Sequence, residues 1–166
     1  MSDRDGGRAV AAEDMQARVR ARADRAIARA RLTADMGFDD VVRAVERAVG
    51  IRLRVIRETD TSGWGTLTGY LTLFADRGEA SIHVRASDAA LYSQFAASHE
   101  LGHLLDDAHC TGALHERGAR ERSSITPYDD PTLTTPEVEA ELVAEHVAHR
   151  ISRLLYASPR VAESSW

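Results

Sequence analysis

Phe95-Ala96-Ala97-Ser98-His99-Glu100-Leu101-Gly102-His103-Leu104-Leu105 sets two histidines four residues apart inside an apolar pattern of helical spacing. On an α-helix, residues at that separation project from one face a turn apart, so the two imidazoles can hold a single metal ion between them. Glu100 lies about 100 degrees round the helix from His99, outside the ligand shell but within reach of a water at the metal. Zinc in such a site lowers the pKa of a bound water toward about 7, and a neighbouring carboxylate can take the proton as general base. His99 and His103 are therefore candidate metal ligands and Glu100 the candidate catalytic residue. Gly102 is costly inside a helix, by about 1 kcal/mol relative to Ala, and points to another backbone passing close by.

Working outward, Ser87 and Asp88 are candidate caps for this helix, which carries Leu91, Phe95, Leu101, Leu104 and Leu105 on its apolar side. Upstream, Ile51, Leu53 and Val55 alternate with Arg52 and Arg54, the period-2 pattern of a strand with one wet face. Leu67 to Phe74 and Ala80 to Arg85 read as two further strands joined by a hairpin turn over Asp76-Arg77-Gly78-Glu79. Before the strands, Phe38 to Val49 has the apolar spacing of a short amphipathic helix, with Gly50 as its stop.

An Ala- and Arg-rich segment from about Ala9 to about Thr33 predicts another helix, whose sparse apolar residues (Val10, Met15, Val19, Ile27, Leu32) fit a solvated scaffold, with a partner-binding surface as the alternative. Thr135-Pro136 is a good helix start, and the pattern then runs through Val138, Leu142, Val143, Val147, Ile151, Leu154 and Leu155 toward Pro159. Between these stretches, residues 106–134 are polar and Pro-bearing, longer than most connections in a compact domain. The expected class is α+β: a small three-stranded sheet packed on the motif helix, and a long C-terminal helix. Residues 1–35 read as an N-terminal Arg-rich helical extension and 36–166 as the domain proper.

The 166 residues, 43% hydrophobic and 28% charged, suit an ordinary globular chain. A formal net charge of -5 argues against general attraction to nucleic acid or an anionic membrane. The chain has no Lys, so all 21 basic residues are Arg, a bias of composition rather than of contact geometry. No apolar run reaches the length of a membrane span, no signal-peptide pattern follows the N-terminus, and the single cysteine, Cys110, fits a reducing compartment; a cytoplasmic protein is expected.

Catalytic zinc usually takes three protein ligands and one water, so a third ligand has to be found. His109 stands ten residues after His99, as in the extended HExxHxxGxxH signature, but Asp106 occupies the Gly position of that pattern. The only methionines are Met1, Met15 and Met36, so the downstream Met-turn of the metzincins is missing. The alternative is a carboxylate of the final helix, where Glu137, Glu139, Glu141 and Glu145 are available and spacing alone does not choose among them. Glu139 shares a face with Leu142, Val143, His146 and Arg150, and a helix turning that stripe inward could carry it to the metal. Glu141 and Glu145, four apart, read as a solvated pair.

From about Phe38 to Tyr156 the chain resembles the ImmA/IrrE-type zinc metallopeptidases, a gluzincin family of bacteria and their mobile elements. The resemblance rests on the His99-Glu100-Leu101-Gly102-His103 run and on Glu137-Val138-Glu139-Ala140-Glu141-Leu142-Val143-Ala144-Glu145. The family's second motif is a Glu-Ala pair followed by Asn or Asp and then an apolar-Ala step. Glu141 stands here at the Asn/Asp position, Val143 at a position where Phe is common, and the gap between the motifs is longer. What the resemblance implies is a zincin-like fold, Glu139 as third ligand, and zinc, with manganese as the alternative metal. It further implies cleavage in trans of a helix-turn-helix transcriptional repressor.

Asp106 and Asp107 are placed to accept the second ring N–H of a metal-bound histidine, and His146, Arg150 and Tyr128 are candidate stabilisers of a tetrahedral oxyanion. Two other readings stand beside the peptidase: a metzincin-like enzyme using His109, and a non-catalytic binding module with a structural metal.

Overall fold

A computed structural model of the chain describes residues 3–65, 67–106 and 135–157. Their order is α1 (Asp3–Ala30), α2 (Phe38–Val49), β1 (Arg52–Glu58), β2 (Gly69–Phe74), a 3-10 turn (Ala75–Arg77), β3 (Glu79–Arg85), α3 (Ala90–Asp106) and α4 (Thr135–Ala157). The architecture is α+β, with four helices and a small three-stranded mixed sheet among the described residues. Asp107, His109, Cys110, Tyr128 and Pro159, all singled out above, lie outside the described residues. Among the described residues no helix is long and apolar enough to cross a membrane.

The sheet order is β1-β3-β2, with β3 central, parallel to β1 and antiparallel to β2. Alternation sets the faces: Leu71, Leu73, Ala80, Ile82 and Val84 are buried toward the helices, and Ile82 pairs with Val55 on one side and Leu71 on the other. Arg52 and Arg54 are exposed on β1, as the alternating pattern requires. The turn between β2 and β3 closes through Gly78 at φ 59, a left-handed conformation that favours glycine.

Local chemistry sets the helix ends. The Asp40 carboxylate accepts a hydrogen bond from the Gly37 amide at the start of α2, and Gly50, at φ 74, ends the helix with its amide donating to the Glu46 carbonyl. The expected caps of α3 are not realised. That helix begins at Ala90, the Tyr92 and Ser93 amides donate to the Ala89 carbonyl, and Asp88 Oδ2 is buried without a hydrogen-bond partner. Leu91, expected on the apolar side, is 47% exposed because the buried face of α3 starts only at Ser93.

α1 starts earlier than the sequence predicts and docks closely on the rest. Val19, Ala23, Ala26 and Ala30 recur at helical spacing and join α2, the sheet, α3 and α4 in one buried cluster. The stripe is built mainly of alanines, whose small side chains let the helices approach and which a search for large apolar residues passes over. The helix expected as an extension thus contributes to the same core as residues beyond 36.

Candidate metal centre

α3 and α4 form the site. A Cβ built on Gly102 would stand 2.8 Å from the Ala144 Cα, 2.9 Å from its carbonyl oxygen and 3.2 Å from the Val147 Cβ, so the two helices approach here as only glycine allows. This is the passing backbone that Gly102 predicts. His103 follows Gly102 directly, His99 precedes it by three residues, and Glu141 lies three residues before Ala144. The contact therefore brings both histidines level with one carboxylate of α4.

The three side chains converge. His99 Nε2 lies 3.2 Å from His103 Nε2 and 3.2 Å from Glu141 Oε2, and His103 Nε2 lies 3.4 Å from Glu141 Oε1. Both histidines are buried, at 8% and 5% exposure, and Glu141 is partly buried. A tetrahedral zinc with bonds of about 2.0–2.1 Å keeps its ligand atoms about 3.3–3.4 Å apart; here the two Nε2 atoms are 3.2 Å apart, each meets a different oxygen of Glu141, and one ligand atom from each residue lies within 4.8 Å of the others. Two imidazole nitrogens and a carboxylate oxygen are all lone-pair donors to a cation, and a low-dielectric site holds them together only with protons or a positive ion between them. The group His99, His103 and Glu141 can thus bind a metal ion.

Glu139 goes elsewhere. Its carboxylate pairs with Arg18, whose Nε lies 3.1 Å from Oε1, and with Arg22, whose Nη1 lies 3.3 Å from Oε2. Residues 139 and 141 are about 200 degrees apart on a helix, so both cannot face the histidines. α4 buries Val143, Ala144, Val147, Ala148, Ile151 and Leu155, leaving Glu139 on the flank toward α1 and Glu141 on the flank toward the His pair. The structure therefore brings Glu141, and not Glu139, to His99 and His103. Nor is Glu141 half of a solvated pair with Glu145, because both carboxylates turn to His99. The missed signal was the spacing of Glu141 from Ala144 and Ala148, small buried residues that mark the contact face as Leu and Val mark others.

Other expected residues are also redistributed. Arg22 Nε donates to Asp106 Oδ1 at 3.1 Å, so Asp106, whose side chain is nearly buried, ties α3 to α1 rather than orienting His103. Arg150 donates to Asp24 of α1 at 3.0 Å, and His146 is exposed; both lie on the flank of Glu139. Glu100 is buried, at 3% exposure, next to His99. Glu145, available as a third ligand by sequence but read as half of a solvated pair, has Oε2 at 3.4 Å from His99 Nδ1 and Oε1 at 3.2 Å from His149 Nε2. Hydrogen bonding to His99 holds its carboxyl below the usual range, against the opposing effect of partial burial.

No protein-family model matches the chain, and comparison with curated proteins and with solved structures returned no match.

Proposed function

We propose that this chain is a zinc-dependent endopeptidase of zincin-like fold, with His99, His103 and Glu141 as metal ligands and Glu100 as general base. The observation that carries the reading is the convergence of His99 and His103, on the His-Glu-Leu-Gly-His helix, with Glu141 of α4, one ligand atom of each lying within 4.8 Å of the others. Bound zinc would supply a Lewis acid to polarise a carbonyl and to make water nucleophilic near neutral pH. The protein's part is to hold the ligand atoms on two helices locked by the Gly102–Ala144 contact and to keep a buried carboxylate at Glu100 for the proton of water.

The resemblance to ImmA/IrrE-type peptidases supports a helix-turn-helix repressor, cut in trans in the cytoplasm, as the substrate. In this proposal Glu141 takes the ligand role that the resemblance gives to Glu139. Glu100→Gln separates catalysis from metal binding: the variant should keep its zinc, read by elemental analysis, and lose cleavage of a purified helix-turn-helix repressor that the wild type cuts. Undiminished biological activity in Glu100→Gln would leave only the binding-module reading.

A further inference from the structure

The α3 and α4 faces at the site match turn for turn in opposite directions. Phe95, His99 and His103 follow one another at four-residue intervals on α3, and Glu141, Glu145 and His149 do so on α4. Phe95 meets the His149 ring edge-on at 5.2 Å, His99 meets Glu145 and Glu141, and His103 meets Glu141. His99 has a carboxylate at each ring nitrogen: Glu141 at Nε2 and Glu145 at Nδ1.

We infer that Glu145 is a positioning residue for the metal centre, fixing the tautomer and ring angle of His99 from the side away from the cluster. The inference rests on the metal-centre reading above. An imidazole that gives the Nε2 lone pair to a metal carries its proton on Nδ1, and a carboxylate there both orients the ring and raises its basicity as a ligand. Glu145 is itself held, because His149 engages its other oxygen at 3.2 Å while packing on Phe95, one turn from His99. Sequence placement alone favoured Asp106 and Asp107 for this role; Asp106 is taken by Arg22.

The test uses the full chain, freed of metal and titrated with zinc against a chromophoric chelator, and with cobalt(II) read by its visible absorption. Wild type should bind one zinc. Glu145→Ala should bind it about 10- to 100-fold more weakly, the range for loss of such a partner, and the near-isosteric Glu145→Gln should recover part of the affinity. The cobalt spectrum of Glu145→Ala should keep the wild-type shape, since the three ligands remain, whereas Glu141→Ala should change it. Wild-type affinity in Glu145→Ala would overturn the inference alone. A cobalt spectrum altered as in Glu141→Ala would make Glu145 a ligand and overturn it as well. A wild-type protein that binds no zinc would remove the metal-centre reading and this inference together.

Discussion

Gly102 of α3 and Ala144 of α4 meet so closely that a methyl group on residue 102 would lie 2.8 Å from the Ala144 Cα and 2.9 Å from its carbonyl oxygen. The obstacle is backbone, which cannot rotate away as a side-chain tip can. The contact lies within one helical turn of His99, His103 and Glu141, so it sets the separation on which the metal geometry depends.

Gly102→Ala is accordingly expected to destabilise the protein although alanine is the better helix former. The propensity gain is about 1 kcal/mol, against about 1–3 kcal/mol for overpacking a site that cannot relax. Thermal unfolding should show a lower midpoint, and zinc content should fall with it as α3 and α4 separate. A raised midpoint with full zinc would mean that the helices adjust freely and that the contact does not govern the site.

Glu141→Ala and Glu139→Ala should have opposite signatures. Loss of Glu141 removes a charged ligand and should empty the site while the protein stays folded. Loss of Glu139 leaves Arg18 and Arg22 without one partner and should lower stability while zinc content is retained. Elemental analysis and chemical denaturation on both purified variants decide the matter. Full zinc in Glu141→Ala together with loss in Glu139→Ala would return the ligand role to Glu139.

Arg22 joins three helices, through Asp106 of α3 and Glu139 of α4. The Asp106 side chain is only 4% exposed, so Arg22→Ala would leave a carboxylate buried without this partner. Breaking such a pair costs about 3 kcal/mol. The urea midpoint should fall with an unchanged slope. A shift below about 0.5 kcal/mol would instead place this ion pair among surface bridges of little consequence.

Zinc should stabilise the folded chain by mass action, by about 2.7 kcal/mol at free metal 100-fold above the dissociation constant. Addition of a chelator should reverse the rise in melting temperature, and His99→Ala or His103→Ala should abolish it. Equal zinc-dependent shifts in wild type and in both histidine variants would place the metal elsewhere on the chain.

Residue pattern alone made much of the scaffold legible. Helix α2 announces itself through Phe38, Val41 and Val45 and stops at Gly50; the strands follow from alternation of residues such as Leu53 and Arg54 or Leu71 and Thr72. The docking of α1 was not legible, because Ala23, Ala26 and Ala30 carry no strong apolar signal. Their burial depends on three other segments arriving around them.

The same division runs through the site. His99 and His103 face one way because four residues nearly complete a turn of any α-helix, and Gly102 needs a close neighbour because nothing else favours glycine there; both are local facts that sequence by itself determines. Which glutamate of α4 meets the histidines is a question of how that helix is rotated about its own axis. Glu139 and Glu141 are two residues apart and on opposite flanks, and a single-helix pattern accommodates either orientation. Tertiary structure decided it: Arg18 and Arg22 of α1 hold the Glu139 flank, Gly102 admits Ala144, and the helix so pinned presents Glu141 and Glu145 to His99. These constraints come from segments more than 30 residues away in the chain and exist only once the core has formed.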